Sequence, residues 1–562
     1  MKLKKLLALG LAAAMTMSMA ACGGGNEGGN EEAGAKEEAG EAGEAAGAGD
    51  GVIDVCFASE PQSIDPALNS AVDGAVMLQH AFEGLIKWVD DGEGNATLAP
   101  GMAEKWDISE DKLTYTFHLR KDAVWSDGEP VTANDFLYAW NRLADPTTAA
   151  DYSYMLDPVV GYDSTKEGEV SPQIEAPDEN TFVVHLDVPT AYFEELCAFP
   201  ALFPVREDII EANGDQWTFS PETYVSNGPY KMTSWEHNAA ITMEKRDDYY
   251  AADEITNPSV KFHLMDDANA MLASFRSGEL DFIQQAPPEE VPGLLESGEL
   301  GIKEYIGTYY VCFQTQKAPF DDPKVREAFS LAIDRDYICE QVKGDGSVVA
   351  GGFVPAGMYD AEGPGSDFRK VGGDYYDPTF DAYEANCEKA RELLAEAGYP
   401  EGKDFPVVEY LYNTDDGHKA IAEALQNMWQ TQLGVQVTLN NQDWNVFLET
   451  RKNGDYSIAR NGWIADYNDP MCFLDMWVTG GGNNDAQYAN PAYDELIGKA
   501  KASSDNAERM QIMHDAEDLL IGEEKVLAPL YFYVQTYMDA EGLEGWYYTP
   551  LGYFFFGNAQ FK

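Results

Sequence analysis

The chain has 562 residues, of which 44% are hydrophobic, and it carries a formal net charge of −61. This length suffices for a large core divided among about three or four folding units. So strong a negative charge repels the phosphates of nucleic acids, and it excludes a nucleic acid as an expected partner.

The first 21 residues have the pattern of a signal peptide. Three lysines among the first five residues precede an apolar run over residues 6–19, which is too short for a comfortable membrane span. Small residues then lead to Cys22, as in a bacterial lipobox, where the cysteine is acylated and becomes the first residue. A chance cysteine after an ordinary signal peptide is the alternative.

The stretch that follows, to residue 50, is almost wholly Gly, Ala, Glu and Asn. Since it has nothing to bury, residues 22–50 are predicted to be a lipidated cysteine and a disordered, acidic tether. We therefore expect a protein held by a lipid anchor on the extracytoplasmic face of the cell membrane, at the cell surface or in the periplasm.

From residue 51 onward the pattern mixes strands and helices. Tyr115, Phe117 and Leu119 alternate with polar residues, which is the period of a half-buried strand. Start and stop signals further along predict two helices and a helix–strand pair. They are a helix from Asp322-Pro323, a helix over 384–397 that Gly398 ends, and a helix marked by Ile421, Leu425 and Met428 that leads through Gly434 into a strand at Val435, Val437 and Leu439.

The repeated succession of helix and strand indicates α/β lobes. No low-complexity linker divides residues 51–562, so we expect interleaved domains joined by more than one crossing of the chain.

Residue types that could support catalysis or metal binding lack the necessary spacing. The sequence contains no H-E-x-x-H or G-x-S-x-G motif, and its glycine-rich stretch 344–352 lacks the ending of a phosphate-binding loop. The seven histidines show no metal-ligand spacing, and the six cysteines after Cys22 include no C-x-x-C pair. We expect no enzyme, no cofactor and no metal site, and buried thiols in preference to disulfides.

Several short motifs, in their order and spacing, resemble the solute-binding proteins of bacterial peptide importers of the ABC type. They are Ser59–Pro66 with Phe82–Leu85; Leu98–Pro100, Tyr115–Arg120 and Trp125–Gly128; Asn227–Tyr230 with Ser277–Asp281; and Pro319–Asp322 with Val325-Arg326 and Ala332–Arg335. Within this family, the stretches 411–418, 441–448 and 459–470 resemble the oligopeptide-binding proteins.

The resemblance implies an α/β fold like that of periplasmic binding proteins, a clamp of two lobes with a third domain attached to the first. The implied boundaries are 51–82, 213–306 and 534–562 for lobe I, 83–212 for the extra domain and 307–533 for lobe II, with hinges near 305–307 and 533–534. It also implies a monomer that captures short peptides and delivers them to an integral-membrane permease and its ATPase. The same fold binding a signalling peptide, metal chelate, haem or oligosaccharide is the alternative.

The resemblance further assigns roles in the pocket. Asp466 matches the aspartate that holds the ligand ammonium, and Arg460 and His418 match residues that meet ligand carboxylates, His418 with a contribution that depends on pH. Gly462 would let the ligand backbone approach, and Val72 would supply a facing backbone edge. Other residues that match the pocket wall are Trp463, Trp444, Tyr152 and Tyr310.

The residues alone leave alternatives at these positions. An Asx turn is the alternative for Asp466, a solvated side chain for Arg460 and His418, and a core position for each tryptophan. The chain also departs from its nearest relatives in this family. It has Ser70 in place of a glutamate, and Gly307 and Ile464 in place of a cysteine pair, so the length and side-chain preference of the ligand stay open.

Overall fold

The computed structural model describes residues 51–57, 60–90, 92, 96–164, 171–549 and 551–562, with only the backbone of Pro364. The predicted signal peptide, the lipidation of Cys22 and the tether over 22–50 lie outside these residues. Within them, no helix combines the length and the apolar character needed to cross a bilayer.

Strands and helices occur throughout the described chain. The strands, β1 to β23 in chain order, are Val52–Cys56, Ile86–Asp90, Ala96–Pro100, Ala103–Ile108, Thr114–Leu119, Ile174–Asp178, Thr181–His185, Tyr230–Glu236, Ala240–Lys245, Ser259–His263, Phe282–Ile283, Gly301–Phe313, Val348–Val349, Tyr359–Asp360, Gly363–Asp367, Val408–Asn413, Val437–Gln442, Ile458–Ile464, Leu527–Asp539, Leu543–Glu544, Tyr547–Tyr548, Phe554–Phe555 and Gln560–Phe561. The α-helices, α1 to α15, are Val72–Ala81, Ala133–Ala144, Phe193–Leu196, Glu207–Asn213, Ala268–Ser277, Val291–Ser297, Pro323–Leu331, Arg335–Tyr337, Phe368–Gly372, Phe380–Glu396, Asp416–Leu433, Trp444–Lys452, Met471–Leu474, Pro491–Ala502 and Asn506–Glu517.

An 11-stranded sheet runs through the body in the order β17-β16-β18-β12-β19-β11-β1-β10-β9-β8, and β13 pairs with β19. From β16 to β10 the neighbours in this order come from distant parts of the chain, so the sheet is built from interleaved segments. A separate four-stranded antiparallel sheet has the order β4-β5-β7-β6, and its strand β5 contains the predicted alternation at Tyr115, Phe117 and Leu119. The predicted α/β fold class is confirmed.

Two 13-residue strands, β12 and β19, connect the halves of the large sheet. Their antiparallel pairing runs from Gly301↔Tyr537 to Glu304↔Val534, shifts, and resumes at Thr308↔Phe532. Beyond the shift, β12 pairs with β18, whereas the end of β19 pairs with β11. The shift falls at the predicted hinge positions; the hinge motion and the domain boundaries stay predictions.

Local signals account for the ends of several elements. Asp322 caps α7 by accepting a hydrogen bond from the Lys324 N–H at 2.9 Å. Helix α11 ends at Gly434, whose φ of 71° suits a residue without a side chain. The helix predicted over 384–397 is part of α10, which begins earlier, at Phe380, and the strand predicted from Val435 is β17, which begins at Val437.

The cores contain the body cysteines. All six cysteines after Cys22 are buried, and none of them forms a disulfide in the described structure. A large core cluster packs around both sheets, and a second one packs α7, α10 and α11 against the strands of the large sheet. In the second cluster the Trp429 indole donates to the Phe329 carbonyl at 2.9 Å. These cores hold β18 and the starts of α11 and α12, which carry much of the site.

Candidate functional site

A cleft of about 360 Å³ is lined by β18, by the residues just after it, by the starts of α1 and α11, and by one side of α12. This volume is in the usual range for small-ligand sites, which is about 300–1,000 Å³. The cleft brings together all of the predicted pocket residues except Tyr310: Asp466, Arg460, His418, Trp463, Trp444, Gly462, Tyr152 and Val72.

Asp466 follows the end of β18 and is only 7% exposed. The Tyr152 hydroxyl donates a hydrogen bond of 3.1 Å to its Oδ1, whereas its buried Oδ2 has no partner among the described residues. Burial raises the pKa of the Asp466 carboxyl well above its ordinary value; the Tyr152 hydrogen bond opposes this rise and the charge of Asp475 adds to it. A buried carboxylate in this state gains most from a cation that a ligand brings.

Arg460 lies on β18 and provides positive charge in the same cleft. Its Nε donates to Asn413 Oδ1 at 2.7 Å, and its guanidinium carbon lies 5.5 Å from the centre of the Trp444 ring. The neighbouring cations Arg451 and Lys452 have carboxylate partners, but Arg460 forms no ion pair within the described ranges. Its planar fork therefore keeps donors for an incoming carboxylate.

His418 lies in the first turn of α11 and is predominantly neutral. Its backbone N–H donates to the capping Asp415 carboxylate at 2.8 Å, and its ring Nδ1 lies 3.4 Å from the Tyr309 hydroxyl. Burial, together with the charge of Arg460, lowers the pKa of His418 to about 3, while Asp415 opposes this shift. In the described conformation the imidazole therefore stays uncharged near neutral pH, which argues against the expected pH-dependent contribution there.

The structure gives a reason for glycine at position 462 that differs from the expected one. A β-carbon added at Gly462 would lie 2.2 Å from the hydroxyl oxygen of Tyr533, a side chain of β19. The missing side chain at 462 therefore makes room for Tyr533, which itself lines the cleft.

Both predicted wall tryptophans line the cleft. The Trp463 indole donates to the Cys472 carbonyl at 2.7 Å, and its ring centre lies 6.1 Å from that of Tyr152. Trp444 is the first residue of α12, and its indole nitrogen is buried without a hydrogen-bond partner in the described structure. Each ring is largely in the core and presents part of its surface to the cleft.

Val72 and Tyr310 occupy positions that differ from expectation. Val72 is the first residue of α1, so it presents a helix start and not an extended strand edge to the cleft. Tyr310 is fully buried, with its ring centre 5.2 Å from that of Phe353 and 5.9 Å from that of Trp477, and it is not part of the lining that the described residues form.

Sequence reasoning missed seven charged residues of the described lining, which are Asp266, Asp415, Asp73 and the members of two ion pairs. Arg451 pairs with Asp485 at 2.7 Å, and Lys452 pairs with Asp151 at 2.6 Å. Asp73, in the first turn of α1, has both carboxylate oxygens buried and unbonded in the described structure. The two cations could have been predicted as pocket residues from their position three and four residues after the 441–448 stretch. For Asp73 the sequence shows only an acidic residue at a helix start, which does not by itself indicate a pocket residue.

The two departures at the family's cysteine positions face each other. Gly307 on β12 lies directly opposite Ile464 on β18 in the antiparallel pairing. A β-carbon at 307 would lie 2.4 Å from Cδ1 of Ile464, so the isoleucine fills the space above the glycine. Ile464 and Ser70 both line the cleft, so both departures affect its shape.

The arrangement is suited to binding a zwitterion, which is a molecule with both a positive and a negative group. Asp466 offers a buried negative charge and Arg460 a positive one. Within the described ranges, no group of three or more His, Cys, Asp and Glu side chains is placed to hold a metal ion.

Residues 97–485 match the sequence model of a family described as bacterial extracellular solute-binding proteins, family 5. The oligopeptide-binding protein OppA of Bacillus subtilis is 35% identical over 556 residues, which covers 97% of this chain and 97% of that protein.

Two solved structures are informative about conformation. Haemophilus influenzae OppA in complex with the peptide RPPGFSPFR matches with a TM-score of 0.84 at 32% identity, covering 91% of this chain and 99% of that chain. The unliganded open form of the periplasmic murein tripeptide-binding protein MppA matches with a TM-score of 0.58 at 30% identity, covering 90% and 95%. The arrangement of this chain therefore resembles the peptide complex more than the open form.

Proposed function

Because this chain belongs to family 5 of the bacterial extracellular solute-binding proteins, we propose that it captures short peptides in its cleft and delivers them to an ABC-type peptide permease and its ATPase. One observation carries the proposal: Asp466, with a buried oxygen that no described residue bonds, shares the cleft with Arg460. A peptide brings an ammonium for the first and a carboxylate for the second.

The charged ends fix a peptide whatever its side chains are. A charge-assisted hydrogen bond contributes about 1.5–3 kcal/mol, and more when closure removes water from it. Asp466 would hold the ammonium, Arg460 would hold a carboxylate directly, and the neutral ring of His418 would add a hydrogen bond beside it. Trp463 and Trp444 would form walls for side chains.

The backbone of a peptide has a strand edge available to it. In the described sheet, β16 pairs with β18 only at Ile458 and Ala459, whereas β12 pairs with β18 along its whole length. Beyond Ala459, β18 therefore has one edge that no described strand covers. An extended peptide can add to such an edge as a further strand, which gives affinity independent of sequence.

We propose that the described conformation is a closed clamp. The Tyr152–Asp466 hydrogen bond and the Lys452–Asp151 ion pair join the proposed extra domain, 83–212, to the proposed lobe II, 307–533. Lobe I, made of 51–82, 213–306 and 534–562, would complete the clamp. Ligand bonds to both sides would favour closure, and the closed shape would be the one that the permease recognises.

Signals in the sequence support the rest of the proposal. Acylation of Cys22 and the tether to residue 50 would hold a monomeric body at the extracytoplasmic face of the membrane. The protein would bind and release its cargo unchanged, since the energy for import would come from the partner ATPase. Incubation of the protein with peptides should therefore yield no cleavage products.

The decisive experiment compares a free amine with a blocked one. Calorimetric titration with tri-alanine and N-acetyl-tri-alanine, after removal of any copurified ligand, should give strong binding of the free peptide and at least about tenfold weaker binding of the acetylated one. Asp466→Asn should abolish this difference, and Asp122→Asn, a change at an exposed carboxylate, should preserve it. Equal affinity for both peptides in the wild-type protein, or binding of an oligosaccharide or a chelated metal in their place, would contradict the proposal.

A further inference from the structure

Asp73 is a second buried carboxylate of the cleft. It lies in the first turn of α1, and it lines the cleft together with Trp444. Both of its carboxylate oxygens are buried, and neither has a hydrogen-bond partner in the described part of the chain. An ionised group in this state is costly unless something else balances its charge.

The position of Asp73 at a helix start does not account for its burial. An acid in the first turn is stabilised by the helix dipole, commonly through a bond to a backbone N–H. Here burial raises the pKa of Asp73 to about 6, in spite of the opposing effects of nearby backbone N–H groups and of the Trp444 indole. The helix start therefore stabilises the charge only in part.

Apart from the solvent-exposed Asp266, the other carboxylates around the cleft are accounted for. Asp151 pairs with Lys452 at 2.6 Å, and Asp485 pairs with Arg451 at 2.7 Å. Asp415 caps α11. Asp466 would receive a ligand ammonium, and Arg460 a ligand carboxylate. A ligand with only these two charges would leave Asp73 buried and unbalanced.

We propose that Asp73 is the anionic end of a subsite for a cationic side chain, so that this cleft selects peptides that carry lysine or arginine. The inference rests on the proposed peptide-binding function and specifies its ligand class. The Trp444 indole beside the carboxylate offers an apolar surface for the methylene stem of such a side chain, while the charged end reaches Asp73. The selected peptide then balances both buried carboxylates at once.

The test uses tripeptides that differ by one charge. Three alanine tripeptides, each with lysine at one of the three positions, are titrated by calorimetry against counterparts that carry norleucine, which has a neutral chain of similar length. At one position or more, the wild-type protein should bind the lysine peptide at least about tenfold more tightly than its counterpart. Asp73→Asn should reduce this ratio to about one while leaving the affinity for the norleucine peptide unchanged.

A matched control comes from outside the cleft. Asp122 is exposed to solvent and is not part of the lining that the described residues form, so Asp122→Asn should keep the lysine preference. The inference is overturned if the wild-type protein binds the lysine and norleucine peptides equally at every position, or if Asp73→Asn keeps the ratio. It is also overturned if that variant weakens both peptides equally.

The same experiments give different results if the proposed peptide-binding function itself is wrong. In that case no tripeptide of either kind binds the wild-type protein, and Asp466→Asn has no effect. Peptides that bind through Asp466 but without a lysine preference overturn only the subsite. Thermal unfolding of each variant shows whether a loss of binding reflects a loss of fold.

Discussion

The Tyr152 hydroxyl donates its hydrogen bond to Asp466 Oδ1, at 3.1 Å, across 314 positions of the chain. The two residues come from parts of the structure built on different sheets, so this bond can exist only when those parts are together. In the proposed clamp, closure would bury the carboxylate and at the same time supply the hydrogen bond from Tyr152. This link between closure and the charge of Asp466 has measurable consequences.

Peptide binding should release a proton. In the described conformation, which we propose to be the closed one, burial raises the pKa of the Asp466 carboxyl, and a bound ammonium lowers it again because it favours the charged form. At a pH between the lowered and the raised value, binding should therefore expel up to about one proton. Calorimetry at pH 6 in buffers of different ionisation enthalpy measures this number. Asp466→Asn should reduce it, and an unchanged proton count would show that another group titrates.

The same carboxylate should lower the stability of the ligand-free protein at neutral pH. Because its pKa is higher in the folded state than in the unfolded one, the folded state binds more protons. Stability is then greatest below the unfolded pKa and is lost as the pH rises towards the folded pKa. Asp466→Asn should raise the free energy of unfolding at pH 7.5 by about 1 kcal/mol or more while it weakens peptide binding. Thermal unfolding checks this, and Asp122→Asn should leave the midpoint unchanged.

His418 should have the opposite pH dependence. Burial lowers its pKa from 6.5 to about 3. Between these two pH values the unfolded state therefore binds a proton on this residue and the folded state does not. Its contribution to stability is present above the unfolded pKa and is lost as the pH falls. Between pH 7 and pH 5 the wild-type protein should lose about 2 kcal/mol more stability than His418→Gln. Urea unfolding at both values measures the difference, and parallel losses in the two proteins would contradict it.

The sequence predicted the fold class and several of its strands and helices, because the patterns that indicate these elements involve only a few neighbouring residues. The alternation in β5 and the Asp-Pro start of α7 each depend on a few adjacent residues. The resemblance placed Asp466 and Arg460 in one cleft, which periodicity alone could not have done. Helix α10 extends four residues further towards its N-terminus than the predicted start at Glu384, since the apolar spacing did not mark its first turn.

The sequence could not predict which site residues face the cleft, because that depends on the face of the strand or helix on which each side chain lies. Tyr309 and Tyr310 are neighbours on β12, and successive side chains of a strand point to opposite faces. Tyr309 therefore meets His418, with ring centres 5.6 Å apart, whereas Tyr310 packs against Phe353. Asp73 poses the same difficulty, because only packing against Trp444 distinguishes a buried acid from an ordinary one at a helix start.

The contact between Gly462 and Tyr533 offers a test of how closely the cleft wall is packed. In Gly462→Ala the new β-carbon would lie 2.2 Å from the Tyr533 hydroxyl oxygen, whereas the next atom of that ring is 3.2 Å away. The hydroxyl is therefore the main obstacle. We expect Gly462→Ala to cost about 1–3 kcal/mol of stability through overpacking, with weaker peptide binding because the strand carrying Arg460 shifts.

Removal of the obstacle should reverse the effect. Tyr533→Phe alone should remain near wild type, and Gly462→Ala combined with Tyr533→Phe should regain most of the loss, which is a coupling that a double-mutant cycle measures. Gly498→Ala is the matched control, since no atom outside its own stretch of helix lies within 4 Å of the added carbon and alanine favours its helix. If the two substitutions prove additive, the hydroxyl does not limit position 462. Glycine there would then serve the ligand backbone, as the resemblance first implied.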